Sequence, residues 1–174
     1  MGAFTQPALR PLDVVVALHL ALLPGDKYEE IAATLAISLS AAHRAVTRLD
    51  VSGLVLPHRR SAARGPLIEF IVHGVRYAFP AVLGPVAGGV PTAYAAPPLN
   101  EEIVFDEPVV WPSINGSVRG TSLAPLYPGA AELVNRAPKL YQALALVDAL
   151  RMGRARERSR AAELVREIIR EEPP

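Results

Sequence analysis

Residues 28–55 read YEEIAATLAISLSAAHRAVTRLDVSGLV, and the spacing of their apolar positions decides the fold. Tyr28, Ile31, Ala32 and Leu35 recur at helical intervals, which predicts a short helix stopping near Ile37. Asp26, with Glu29 three residues on, is placed to cap its start. Ser38 or Ser40 suits the N-cap of a following helix whose apolar stripe is Ala42, Ala45, Val46 and Leu49. The opposite face of that helix carries His43, Arg44, Thr47 and Arg48. Gly53 closes it, and Leu54, Val55 and Leu56 fold back as a short strand or turn. A short positioning helix, a tight turn and a second helix with an exposed N-terminal half are the parts of a helix-turn-helix.

The residue types in the second helix suit the DNA major groove. Ser40, Ala41, His43, Arg44 and Thr47 are the candidates for its exposed reading face. Arginine can contact guanine with two hydrogen bonds, and Ser, Thr or Ala can meet phosphate, base edges or a thymine methyl. Ser38 stands at the helix N-terminus, which favours phosphate. Arg48, His58, Arg59, Arg60 and Arg64 are candidates to neutralise the DNA backbone, adding affinity without sequence choice. The competing reading is an amphipathic helix whose basic face is merely solvated.

At these residues the chain resembles the winged helix-turn-helix transcriptional regulators of the MarR type, where a pattern such as ELAELLGLSPSTVSRALKRLEEAGLV is common. EEIAATLAIS stands for the positioning helix, LSAAHRAVTRLD for the recognition helix, and SGLV for the exit into the wing. The resemblance spans roughly residues 12–60, about a third of the chain. It implies that Ser40, Ala41, His43, Arg44, Thr47 and Arg48 face DNA. A homodimer is also expected, because helix-turn-helix modules commonly read two half-sites as dimers and the apolar residues of the helix over 154–172 must pack somewhere. A usual wing is a β-hairpin with a charged tip. Here LPHRRSAARGPLIEFIVHGVRYAF reads as a basic loop followed by a helix over about 66–77, so the wing is expected to be shortened or missing. The remainder, including PTAYAAPPL and VRGTSLAPLYPGA, resembles an uncharacterised bacterial family, and that resemblance implies no activity.

Outward from this segment, the chain divides into three expected parts. Residues 1–79 form a winged-helix-like domain that opens with a helix over 12–23, apolar almost all round and therefore central in a core. Residues 80–136 form an extended segment rich in Pro and Gly, in which GPVAGGVP reads as a loop, EEIVFDEPVVWP holds a strand and INGS is a turn, suited to a small hairpin. Residues 137–174 are helical, with Leu140, Leu144, Val147 and Leu150 on one stripe and a second, Arg/Glu-rich helix over 154–172 after Gly153. The fold class is mainly α, of the α+β kind.

Composition narrows the function. The 174 residues contain no cysteine, which excludes disulfides, a thiol nucleophile and cysteine-ligated zinc. His19, His43, His58 and His73 lack metal-ligand spacing, and the glycine-rich stretch has no P-loop ending, so no metal and no cofactor are expected. No basic leader followed by a long apolar run opens the chain, and VVVALHLALL is shorter than the roughly 20 residues of a membrane span. A cytoplasmic protein without membrane contact is expected. Net charge is only +1, so affinity for DNA must come from a local patch. Residues 40–64 supply it, with five arginines, two histidines and one acid, whereas residues 101–174 balance ten basic against eleven acidic groups. The expected function is that of a non-enzymatic, sequence-specific regulator bound to double-stranded DNA. The alternative is a protein-interaction module, such as the antitoxin-like partner of a neighbouring toxin or enzyme.

Overall fold

The computed structural model describes residues 7–171, so residue 172 of the expected last helix lies outside them. Helix makes up about 58% of the described residues beside a small amount of sheet, which makes the fold α+β and mainly helical. Helix α1 (Pro11–Leu22) is buried continuously from Asp13 to Ala21, because almost no side of it carries a polar group. Helices α2 (Tyr28–Leu35) and α3 (Leu39–Val51) follow, and α3 lies against both α1 and α2. The stripe of Ala42, Ala45, Val46 and Leu49 is buried, as its spacing predicts.

The caps explain where these helices stop. Ser38 takes the N-cap of α3, its Oγ accepting the Ala41 N–H at 3.1 Å. At the far end Gly53 adopts φ +70°, and the Leu54 N–H reaches back to the Leu49 carbonyl at 2.9 Å. Helix α2 ends in the same way on Ala36, at φ 51°, where the quoted regulator pattern has a glycine. The start of α2 differs from expectation. Lys27 rather than Asp26 is the N-cap, and Glu30 rather than Glu29 accepts the Lys27 N–H, at 2.5 Å. Asp26 is drawn away because its Oδ2 lies 2.8 Å from Nε2 of the buried His19.

After α3 the chain forms a minimal hairpin where a loop was expected. Strand β1 (Val55–Leu56) pairs antiparallel with β2 (Ser61–Ala62) around a 3-10 turn at Pro57–Arg59. The Gly25 N–H donates to the Arg60 carbonyl at 2.8 Å, tying the hairpin to the turn between α1 and α2. Helix α4 (Arg64–Glu69), a π turn (Phe70–Gly74) and α5 (Val75–Ala78) then run on as one rod, burying Leu67, Ile71 and Val75.

The middle segment departs most from the sequence reading. GPVAGGVP belongs to a ten-residue strand, β3 (Leu83–Thr92), not to a loop. Its C-terminal half pairs antiparallel with β4 (Val109–Pro112) and its N-terminal half antiparallel with β5 (Val118–Leu123). Both partners oppose the same strand, so they run parallel to each other, Val109 facing Thr121, and the three close into a small barrel. INGS therefore connects parallel strands instead of closing a hairpin. So tight a closure requires glycine: a Cβ on Gly89 would overlap the Trp111 carbonyl, and one on Gly116 would overlap the Gly89 backbone.

Helix α6 (Leu133–Arg136) leads into α7 (Pro138–Met152) and α8 (Ala155–Arg170), with Gly153 between the last two. Helix α7 is central: Leu140, Tyr141 and every residue from Ala143 to Arg151 are buried. Helix α8 covers it with Ala161, Ala162, Val165 and Ile169. One hydrophobic core runs from Val14 through Leu67, Trp111 and Leu144 to Ile169, drawing on all three parts of the chain.

A buried polar cluster crosses this core. The Asp148 carboxylate accepts the Thr92 hydroxyl at 2.8 Å, the Trp111 Nε1–H at 2.6 Å and the Arg151 Nη1–H at 2.6 Å. Arg151 also donates to the carbonyls of Phe79 at 2.7 Å and Pro80 at 3.2 Å. Burial pushes the Asp148 carboxyl up, against the pull of Arg151 and the two neutral donors. The cluster joins α7 to two strands of the barrel and to the end of α5.

His19 is the second buried titratable group of note. Burial lowers its pKa below the ordinary 6.5, although Asp26 pulls the other way. The unfolded chain therefore binds more protons than the native one as pH falls below 6.5, and native stability falls with it. Denaturant titrations between neutral and mildly acid pH are expected to show this loss, with a slope of at most about 1.4 kcal/mol per pH unit from this residue. The His19→Gln variant is expected to show a flatter profile over the same range; an equally steep one would contradict the assignment.

Candidate nucleic-acid interface

The N-terminal half of α3 and the tip of the β1–β2 hairpin are the two places where exposed basic and small polar side chains gather near the α2–α3 turn. Helix α3 is held at its N-terminus by Ser38 and along its length by the buried stripe, so its outward residues follow from helical geometry. Ser40 is exposed, with its Oγ 3.2 Å from the Ser38 Oγ, and Ala41 is half-buried beside it. Arg44 is exposed and makes no side-chain hydrogen bond or ion pair among the described residues. His43 is exposed but stacks on Tyr28, ring centroids 3.7 Å apart at 27°. The Thr47 hydroxyl donates to the His43 carbonyl at 2.9 Å, which uses its one O–H and leaves the oxygen able to accept.

Arg48 departs from its expected role. It stands at the border of the buried stripe and turns inward. Its Nε–H and Nη2–H donate to the two oxygens of Asp13 at 2.7 and 2.6 Å. Asp13 is fully buried in the first turn of α1 and also accepts the Arg10 N–H at 2.7 Å. This fork satisfies a carboxylate that would otherwise be stranded in the core, so Arg48 fastens α3 to α1 and is not available to a phosphate. The sequence carried a signal for it: Asp13 is the lone acid in a helix whose one other polar side chain is His19.

The hairpin tip places His58, Arg59 and Arg60 in solvent, with no side-chain partner among the described residues. Arg60 holds φ 46° at the end of the turn. Arg64 is less free than expected, because its Nη2–H donates to the Glu171 carbonyl at 3.2 Å. Of the expected residues, then, Ser40, Ala41, His43, Arg44 and Thr47 share the open side of α3, and His58, Arg59 and Arg60 share the tip. Among the described residues no three His, Asp or Glu side chains converge to hold a metal ion.

The two arginines of α3 are expected to behave oppositely in an unfolding titration. Arg48→Ala leaves Asp13 charged and buried without its partner, a loss of about 3–5 kcal/mol. Arg44→Ala removes an exposed side chain and changes stability by less than about 0.5 kcal/mol. Equal effects would contradict the division of roles. No protein-family model, curated protein or solved structure matches the chain.

Proposed function

We propose that the protein is a sequence-specific, DNA-binding transcriptional regulator of the winged helix-turn-helix type, acting in the cytoplasm without catalysis of its own. The observation that carries this reading is the pair of open basic features, Arg44 on α3 and Arg59 with Arg60 at the hairpin tip, in a chain whose net charge is only +1.

The mechanism follows from the side chains. The N-terminal half of α3 enters the major groove. Ser40 and Ala41 are small enough to let the helix approach, and Arg44 reads a base edge. The free amides at the start of α3 and the Ser38 hydroxyl face a phosphate. His58, Arg59 and Arg60 neutralise the backbone beside the groove, from a two-residue hairpin in the place of a wing. Arg48 and Arg64 contribute through the fold, since both are engaged within the chain.

A second reading is a protein-interaction module, such as an antitoxin-like partner. It is favoured by two exposed apolar residues on α3 itself, Leu39 and Val51, which are 44% and 64% exposed. A gel-shift with DNA from upstream of the protein's own coding sequence, titrated with salt, separates the two. The regulator reading expects affinity to fall steeply with salt. Arg44→Ala is expected to weaken binding by about 1–3 kcal/mol, and Arg59→Ala to lower the salt slope by about one. Retention of no DNA at low salt, together with capture of one stoichiometric protein, would favour the second reading.

A further inference from the structure

A hollow of about 570 Å³ lies where the 3-10 turn at Ala93–Ala95, the chain leading into β4 and the junction of α7 with α8 come together. Its apolar lining is Tyr94, Phe105 and Met152, with Val104, which is 98% exposed. The Tyr94 and Phe105 rings stand 5.5 Å apart between centroids and are tilted at 47°, not stacked. The Tyr94 hydroxyl donates to the Glu107 carbonyl at 3.2 Å, which fixes the ring. Ala93 beside it holds φ 51°, a left-handed conformation unfavourable to any residue with a Cβ, and such strain gathers at binding sites.

The charge around these rings is one-sided. Asp106, Glu107 and Glu157 line the hollow against one guanidinium, that of Arg154. Glu157 is partly spent on the start of α8, its Oε2 accepting the Arg154 N–H at 2.7 Å. Asp106 and Glu107 are exposed and have no side-chain partner among the described residues. Glu102, earlier in the same connection between β3 and β4, is instead held by Arg160 at 2.6 and 2.8 Å. Burial raises the pKa of the Tyr94 hydroxyl, and the charges of Glu157 and Glu107 raise it further against that of Arg154, so the ring stands in a negative field. Among the described residues the carboxylates do not converge into a metal's ligand set. Ring faces beside carboxylates suit a cation with an organic body.

We propose that this hollow binds an organic cation, an ammonium or guanidinium group on an apolar stem. Asp106 and Glu107 hold the charge beside the Tyr94 and Phe105 rings, and the stem packs on Val104 and Met152. A free polyamine and a basic side chain of a peptide share this chemistry. The site stands apart from the DNA reading, because none of its residues lies on α3 or in the hairpin and its field repels phosphate.

Amide chemical shifts of the isotope-labelled full chain test this, in titrations with Nα-acetyl-arginine amide, with spermidine and with the neutral Nα-acetyl-norleucine amide. Both cations are expected to give saturable shifts at Tyr94, at Val104 to Glu107 and at Met152 to Glu157, and the neutral compound none. Tighter binding of the arginine derivative assigns the site to a peptide side chain, and tighter binding of spermidine to a free polyamine; both support the cation. Asp106→Asn with Glu107→Gln is expected to raise the dissociation constant at least about fivefold. Tyr94→Leu or Phe105→Leu removes a ring at constant charge and is expected to raise it about two- to fivefold. A well-dispersed amide spectrum shows that each variant folds. Glu101→Gln removes an exposed acid that does not line the hollow and is expected to leave binding within about twofold. Three results each overturn the proposal: no saturable shift at the hollow with either cation, equal binding of the neutral compound, or a loss from Glu101→Gln as large as that from the Asp106 and Glu107 pair.

Discussion

The two-pronged hydrogen bond from Arg48 to Asp13 sets where α3 lies, and the rest of the proposed reading surface follows from it. Asp13 is buried in α1, the helix against which α3, α7 and α8 all pack. A carboxylate in that position is costly unless its oxygens are filled, and Arg48 with the Arg10 N–H fills them. The pair fixes both the position of α3 and its rotation about its own axis. With Arg48 turned in and the Ala42–Leu49 stripe down, Ser40, His43, Arg44 and Thr47 have only one side to occupy.

The Asp148 cluster does for the other half of the molecule what Asp13 does for this one. It gathers Thr92 and Trp111 from the barrel, Arg151 from α7 and the carbonyls after α5 around one buried carboxylate. Tyr141 adds a hydrogen bond from α7 to the Pro91 carbonyl at 2.8 Å, and burial pushes its hydroxyl up to about 12. The barrel buries Val109, Val110 and Leu123 of its own, and Thr92, Trp111 and the Pro91 carbonyl tie it to side chains on α7. Its N-terminal arm, which α7 does not cover, is left bare.

The helical part was legible because its signals are local. Ser38, Gly53 and the 3.6-residue stripe each act within a turn or two of the chain. The capping of α2 was misread by one residue because Asp26 answers to His19, a partner seven positions away on the preceding helix. The inward turn of Arg48 depends on a partner 35 residues away, and an arginine at the edge of a stripe reads as solvated until that partner is seen. Strand β3 was hidden for a different reason. Its Gly, Pro and small residues have poor strand propensity, and they are tolerated because two other strands close around them. The returning strand β2 was read as loop because two residues per strand leave no alternation to read.

If the open side of α3 and the hairpin tip form one DNA-contacting surface while Arg48 stays in the fold, the footprint of DNA on the protein is narrow. Amide hydrogen exchange of the full chain, with and without its upstream DNA, measures that footprint residue by residue. Protection on DNA binding is expected to be confined to residues 38–47 and 57–60. Protection that falls on the β3 arm or the 103–107 loop instead, or exchange that DNA leaves unchanged throughout, would contradict the proposed surface.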